Sequence, residues 1–171
     1  LKENYPKEYF YSTMNILGNH DTERVLTILN NNISLLKLAV VIQMTLPGVP
    51  LIYYGDEAGL TGGKDPYNRK AYPWGKENKD ILNFYTKISN IRASEEALKS
   101  GEIKFLDFNN EVLWYERLIG NEKIVVVVNT MEKKENISLY DVNDGNTVID
   151  LMSNDKRYEV KNSQIEIELK S

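Results

Sequence analysis

The spacing of apolar residues changes once along the chain, near Ser100-Gly101, and this change constrains the fold more than any other feature. Before it, helix-type and strand-type apolar runs alternate, a pattern typical of α/β proteins with parallel strands. After it, apolar residues recur with a period of two in short runs, which is typical of antiparallel β structure. The sequence therefore predicts an α/β segment at residues 1–101 followed by an all-β segment at residues 102–171.

The α/β segment contains two apolar strands, each followed by polar sequence. Its predicted elements are, in order, a strand (Ser12–Leu17), a buried helix (Leu35–Leu46), a second strand (Val49–Tyr54), a long polar loop (Asp56–Glu77) and a helix with apolar residues from Ile81 to Ile91. Ser34 and Asp80 precede the two helices and are their predicted N-caps. Two βα units cannot close a parallel sheet, so this segment is expected to belong to a larger one.

Seven short apolar runs make up the all-β segment. They are Ile103–Phe108, Val112–Ile119, Ile124–Val128, Ile137–Tyr140, Val148–Met152, Tyr158–Val160 and Ile165–Leu169. Turn clusters such as Asn109-Asn110 and Asp144-Gly145 separate them. Strands of this length and spacing predict an antiparallel β-sandwich.

Composition excludes several classes of protein. The absence of cysteine excludes disulfide-stapled miniproteins, zinc fingers and cysteine proteases. A net charge of -4 argues against nucleic acid as a partner. No apolar run reaches the roughly 18–20 residues of a membrane-spanning helix, so no membrane partner is predicted. The lack of cysteine favours a cytoplasmic location, with secretion from a bacterial cell as the alternative.

The single histidine lies in a polar loop directly after the first predicted strand, beside Asp21. Loops at the carboxyl ends of parallel strands carry the reacting groups of α/β enzymes. His20 and Asp21 could therefore bind hydroxyl groups or stabilise a cationic transition state. The alternative is that the pair only forms a turn and a cap.

The long loop after the second predicted strand carries an acidic and basic pair, Asp65 and Arg69, followed by Tyr72 and Trp74. Long loops without secondary structure are commonly functional. Aromatic rings that stack on sugar faces and charged groups that bind hydroxyls suit a carbohydrate ligand. The alternative is a solvated loop with Tyr72 and Trp74 packed on the protein body.

Three segments resemble conserved regions of the α-amylase superfamily of glycoside hydrolases. Met14–Arg24 (MNILGNHDTER) is similar to the fourth conserved region, and Leu46–Glu57 resembles the last barrel strand. Gly59–Trp74, with DPYNR and YPW, is closer to the neopullulanase, cyclomaltodextrinase and amylopullulanase branch. The resemblance implies the last two βα units of a TIM (β/α)8 barrel at residues 1–101 and a β-sandwich C domain at residues 102–171.

The resemblance also implies roles for individual residues. Asp21 matches the carboxylate that stabilises the transition state, and His20 matches a histidine that hydrogen-bonds the same sugar. Asp65 and Arg69 match a pair that contacts the next glucose. The remaining matches are expected to support the site without touching the sugar: Glu23, Arg24, Tyr54 and Glu57. No cofactor and no metal site is expected.

Retaining glycosidases also need a nucleophile and an acid/base carboxylate. In the family that this chain resembles, both come from earlier barrel strands, and no matching segment precedes Asp21. The chain is therefore expected to be the C-terminal part of an enzyme that cleaves α-glucosidic bonds in pullulan, maltodextrins or cyclodextrins, and to be inactive alone. Its expected partners are the α-glucan and either the remaining barrel or a second copy of itself.

Two alternatives remain open from the sequence. One is a non-catalytic, carbohydrate-binding or ancillary relative with the same fold. The other is an independent carbohydrate-binding role for residues 102–171. The predicted strands show no obvious exposed aromatic platform, which argues against this second alternative.

Overall fold

The computed structural model describes residues 4–108, 112–131, 135–140, 146–153, 155–160 and 162–169. The chain divides into two compact units, one formed by Leu1–Phe105 with Tyr115–Val126 and the other by Leu106–Trp114 with Val127–Ser171. The domain boundary expected between residues 101 and 102 stays a prediction.

Helices and strands alternate in the first hundred residues, and strands follow. The elements are α1 (Lys7–Tyr11), β1 (Met14–Ile16), α2 (Val25–Ile28), α3 (Ile33–Thr45), β2 (Val49–Leu51), a 3₁₀ turn (Tyr67–Arg69), α4 (Lys79–Ser94), α5 (Glu96–Ser100), β3 (Glu102–Phe108), β4 (Val112–Ile119), β5 (Glu122–Asn129), β6 (Glu135–Tyr140), β7 (Thr147–Asp150), β8 (Lys156–Glu159) and β9 (Gln164–Leu169).

β1 and β2 form a parallel pair in which Met14 lies opposite Val49 and Ile16 opposite Leu51. Both strands are shorter than predicted. A ladder needs two strands, so β2 ends at Leu51, where its partner β1 ends at Ile16. The residues after each strand are therefore free to form the loops described below.

α3 and α4 pack the core of the first unit. Leu36, Val40 and Met44 of α3 are buried with Ile81, Tyr85 and Ile88 of α4 and with Val25 and Leu26 of α2. Within the described ranges, none of the helices has the length and apolar character needed to cross a bilayer.

Both predicted helix caps are wrong by two residues. Asn32, not Ser34, caps α3, and its side-chain oxygen accepts a hydrogen bond from the Leu35 N–H at 3.1 Å. Asn78 caps α4, which leaves Asp80 in the first turn. Asn and Ser or Asp are nearly equal as caps, so the choice is settled by where the chain enters the helix.

Two arginines bind the carbonyl groups at the C-terminal end of α3. Arg92 donates to the carbonyls of Met44, Leu46 and Gly48. Arg117 of β4 donates to the carbonyl of Thr45. Because the last carbonyls of a helix lack partners within it, the two guanidinium groups satisfy acceptors that would otherwise be buried and unpaired.

β3, β4 and β5 form one sheet in that order. Two residues, Gly120-Asn121, connect β4 to β5, and so short a connection joins only antiparallel neighbours. Gly120 has a φ of 54°, the left-handed conformation that such a turn requires.

Two antiparallel strand pairs complete the β structure. β6 pairs with β9, with Ile137 opposite Ile167, and β7 pairs with β8, with Val148 opposite Tyr158. Each of the seven predicted strands is present; β4 has the predicted bounds, and the bounds of the others differ by at most two residues. The predicted turn clusters Asn109-Asn110 and Asp144-Gly145 lie outside the described residues.

Candidate functional site

Two loops leave the same edge of the β1–β2 pair because the strands are parallel. The first loop follows β1 and carries His20 and Asp21. The second follows β2 and contains the 3₁₀ turn Tyr67–Arg69. All of these residues belong to the first compact unit.

His20 and Asp21 lie next to each other and face solvent. His20 Nε2 is 3.3 Å from Asp21 Oδ1, and the side chains are 62% and 71% exposed. The Asp21 N–H donates to Asn19 Oδ1 at 2.8 Å, which fixes the local turn. The Asp21 carboxylate is therefore held by its backbone and remains accessible to a ligand.

Arg69 connects the two loops. Its Nε lies 3.0 Å from Asp65 Oδ1, and its Nη2 lies 3.8 Å from Asp21 Oδ1. The structure thus brings together all four residues predicted to contact the sugar. We call His20, Asp21, Asp65 and Arg69 the surface layer. Exposed ion pairs of this kind contribute little to stability.

A buried ion pair lies in the same two loops. Arg24 Nη1 is 3.0 Å from Asp56 Oδ1, and the two side chains are 1% and 3% exposed. The Arg24 guanidinium also lies 4.0 Å from the ring centre of Tyr53 and 4.7 Å from that of Tyr54. This cation is fully enclosed by carbonyls, a carboxylate and two aromatic faces.

Burial raises the pKa of Asp56 to about 6, and the hydrogen bond and charge of Arg24 oppose that shift. A carboxylate without water is destabilised in its charged form, whereas a neighbouring guanidinium stabilises it. The sequence motif gives no sign of this, because Asp56 stands beside Glu57 in a short acidic run that looks like an ordinary turn.

Asn68 is fully buried and joins the two loops. Its Nδ2 donates to the carbonyls of His20 and Thr22, both at 2.8 Å. The backbone carbonyl of Asn68 accepts a hydrogen bond from Arg24 Nε at 2.8 Å. We call Arg24, Asp56 and Asn68 the buried layer. Sequence analysis identified only Arg24 of these three.

Gly62 allows the second loop to fold closely on itself. A Cβ at this position would lie 2.1 Å from the carbonyl oxygen of Tyr67. The Gly62 carbonyl accepts from the Arg24 N–H at 2.9 Å. Only glycine lets the backbone pass this near to the 3₁₀ turn.

Tyr54 and Glu57, predicted to support the site, form bonds within the second loop. The Tyr54 hydroxyl donates to the Lys70 carbonyl at 2.9 Å, and Glu57 Oε2 accepts from the Gly55 N–H at 2.8 Å. Glu23 is half-buried between Asp21 and Arg24 in the chain.

Trp74 stands out from the surface rather than packing on the body. It is 82% exposed, and its ring centre lies 4.5 Å from that of Tyr72. The alternative in which these aromatics pack against the protein is therefore wrong for Trp74. Among the residues that the structure describes, no group of three or more His, Cys, Asp or Glu side chains could hold a metal ion.

Two family models match the chain, and together they cover most of it. The alpha amylase catalytic domain matches residues 2–79, and the maltogenic amylase C-terminal domain matches residues 103–171. An amylopullulanase of Thermoanaerobacter thermohydrosulfuricus is 39% identical over 200 residues. A cyclomaltodextrinase of Thermoanaerobacter pseudethanolicus is 43% identical over 130 residues, or 75% of this chain.

The fold is also similar to that of solved enzymes. A cyclomaltodextrinase structure superimposes with a TM-score of 0.89 over 97% of this chain at 31% identity. The predicted fold class, βα units of a TIM barrel followed by an antiparallel C domain, is confirmed by these matches. The chain spans 13% of that amylopullulanase, 23% of the curated cyclomaltodextrinase and 29% of the solved one.

Proposed function

Because the chain belongs to the α-amylase family of glycoside hydrolases, we propose that the polypeptide carrying it is a retaining glycosidase that cleaves α-glucosidic bonds in α-glucans. The observation that carries this proposal is the surface layer, in which Arg69 lies between the carboxylates of Asp65 and Asp21 beside His20. Relatives named amylopullulanase and cyclomaltodextrinase support pullulan, maltodextrins and cyclodextrins as substrates.

We assign Asp21 to transition-state stabilisation. Glycoside cleavage passes through an oxocarbenium-like state, and a fixed carboxylate next to the sugar stabilises the positive charge as it develops. Asp21 has the necessary exposure and a backbone held by Asn19. The same carboxylate can accept hydrogen bonds from sugar hydroxyls in the ground state.

His20, Asp65 and Arg69 are the proposed substrate-binding residues. The imidazole of His20 can donate to a hydroxyl of the sugar that Asp21 contacts. Asp65 and Arg69 are held together at 3.0 Å and offer an acceptor and several donors to the neighbouring glucose. Charged partners of this kind form the stronger hydrogen bonds.

The nucleophile and the acid/base residue are proposed to come from polypeptide outside this chain. A retaining mechanism requires two carboxyl groups about 5–5.5 Å apart on either side of the scissile bond. We propose that the 171 residues alone therefore show no turnover of any α-glucan.

Further barrel strands of the same polypeptide are the proposed partner of the β1–β2 pair. Met14, Ile16 and Val49 are exposed although they are apolar and lie in strands. Among the described residues β1 and β2 form a two-stranded sheet, so each strand has an unpaired edge that can bind a further strand, and the exposed apolar side chains add surface that favours association. The isolated chain should accordingly self-associate, as measured by light scattering, and a strictly monomeric sample at all concentrations would contradict this.

A cytoplasmic location also stays a prediction.

Substitution of Asp21 in the full-length polypeptide tests the assigned function. Asp21→Asn should lower kcat on maltodextrin by several orders of magnitude, because the lost charge acts mainly in the transition state. The matched control is Asp80→Asn, which removes another exposed aspartate. Asp80 Oδ1 lies 2.8 Å from Nζ of Lys37 in α3. This control variant should change kcat less than about twofold, as expected for a surface site. A near-normal rate for Asp21→Asn would overturn the assignment.

A further inference from the structure

We propose that Asn68 is a positioning residue that sets the separation between Asp21 and Arg69. The functional consequence rests on the roles proposed above for those two residues. The geometry does not, because it concerns hydrogen bonds within this chain.

Asn68 holds the backbone on both sides of Asp21. The carbonyls of His20 and Thr22, which flank Asp21, both accept hydrogen bonds from Asn68 Nδ2 at 2.8 Å. The residue after Asn68 is Arg69, whose Nη2 lies 3.8 Å from Asp21 Oδ1. One buried side chain therefore connects the backbone of Asp21 directly to the segment that carries Arg69.

The chemistry of the position requires an amide. A single nitrogen with two N–H groups satisfies both carbonyls, whereas a carboxylate of the same shape would place an oxygen against them. Asn68 is 0% exposed, so solvent does not offer a replacement donor. Its Oδ1 has no hydrogen-bond partner within the described part of the chain, so the side chain acts here through the two bonds that its Nδ2 donates.

The backbone of Asn68 is itself fixed by contacts with Arg24 and Gly62. Arg24 Nε donates to the Asn68 carbonyl at 2.8 Å, and Arg24 is paired with Asp56. Gly62 lies against the preceding residue, Tyr67. The 3₁₀ turn therefore has a defined position from which Asn68 can hold the first loop.

Gln43 provides a matched control within the same unit. It is also a buried amide, and its Nε2 donates to the carbonyls of Asn15 and Leu51, both at 2.9 Å. Its Oε1 likewise has no partner among the described residues. Gln43 therefore has the same chemistry as Asn68 but joins the two strands instead of the two loops.

The test compares Asn68→Ala with Gln43→Ala in the full-length polypeptide, with maltotriose as the substrate. Both should lower Tm similarly, because each removes two buried hydrogen bonds. Asn68→Ala should lower kcat/KM by about 100-fold, the scale of a displacement of about 1 Å in a site, and Gln43→Ala by less than about threefold. In an Arg69→Met background, Asn68→Ala should cost less than about tenfold, because the group that it positions is gone.

Equal activity losses for the two alanine variants, or an undiminished effect in the Arg69→Met background, would overturn the proposal. If Asn68→Ala does not fold, Asn68→Ser keeps one donor and should show an intermediate loss. A loss in Asn68→Ser no larger than that in Gln43→Ala would equally overturn it.

Crystal structures separate this proposal from the proposed function. In Asn68→Ala the separation of Arg69 Nη2 and Asp21 Oδ1 should increase from 3.8 Å, and in Gln43→Ala it should not. An unchanged separation in Asn68→Ala overturns the positioning role whatever the activity. Failure of the parent protein to cleave any α-glucan overturns the proposed function and leaves the structural comparison intact.

Discussion

The surface layer and the buried layer of the site each contain an arginine paired with an aspartate at 3.0 Å, but the two pairs have different physical consequences. Arg69 and Asp65 remain largely exposed, so water screens their attraction and a ligand can replace it. Arg24 and Asp56 are enclosed, so the loss of either partner would leave the other charge buried where it is poorly solvated. Pairs of similar geometry thus suit the proposed sugar binding in one layer and hold the two loops together in the other.

Replacement of each arginine by methionine should separate the two layers most sharply. Arg24→Met leaves Asp56 buried without its cation, and the expected loss is about 3–5 kcal/mol in the free energy of unfolding. Arg69→Met breaks an exposed pair and should cost less than about 1 kcal/mol. Urea unfolding followed by tryptophan fluorescence measures both. Similar losses in the two variants would show that burial does not distinguish the layers.

The pH dependence of stability should identify Asp56. Its pKa is about 6 in the folded chain and 3.8 as a reference for the unfolded chain. Between these values the folded state binds more protons, so this group makes the free energy of unfolding fall as pH rises. The contribution is at most about 3 kcal/mol.

Asp56→Asn removes this contribution, because the amide does not titrate. As pH rises from about 4 to about 6, the free energy of unfolding of the original chain should therefore fall relative to that of the variant. Parallel stability curves over that interval would contradict the raised pKa of Asp56.

Two adjacent glycines offer a smaller test of the contact between the loops. Gly62→Ala should cost about 1–3 kcal/mol, because the new Cβ would lie 2.1 Å from the Tyr67 carbonyl oxygen and backbone must move. Gly63→Ala is the control, since nothing lies within 4 Å of a Cβ there. Equal Tm values for the two variants would show that the second loop is looser than its geometry indicates.

Much of the surface layer could be predicted from the sequence, whereas most of the buried layer could not. The end-of-strand rule located both loops, and the resemblance selected His20, Asp21, Asp65 and Arg69 within them. Asn68 acts on carbonyls at residues 20 and 22, which are 48 and 46 positions away in the chain. A hydrogen bond to a distant backbone carbonyl imposes no pattern on the local sequence, so only the folded chain reveals it.

The helices were predicted more accurately than their first residues. Apolar periodicity identifies the body of α3 and α4 because it reports which face is buried. It does not identify the cap, where Asn32 and Ser34 are chemically similar candidates separated by half a turn. β2 was predicted too long for a related reason, since apolar residues continue to Tyr54 after its pairing with β1 has ended.

The bond from Arg117 to the end of α3 bears on how C domains can be exchanged between members of this family. Arg117 lies in the stretch that matches the maltogenic amylase C-terminal domain, whereas its acceptor, Thr45, lies in the stretch that matches the catalytic domain. A chimera that takes its C domain from a relative without an arginine here would leave the Thr45 carbonyl at the end of α3 without this donor, four residues before β2 begins. Successful exchanges should therefore take the arginine and its acceptor helix from the same parent protein.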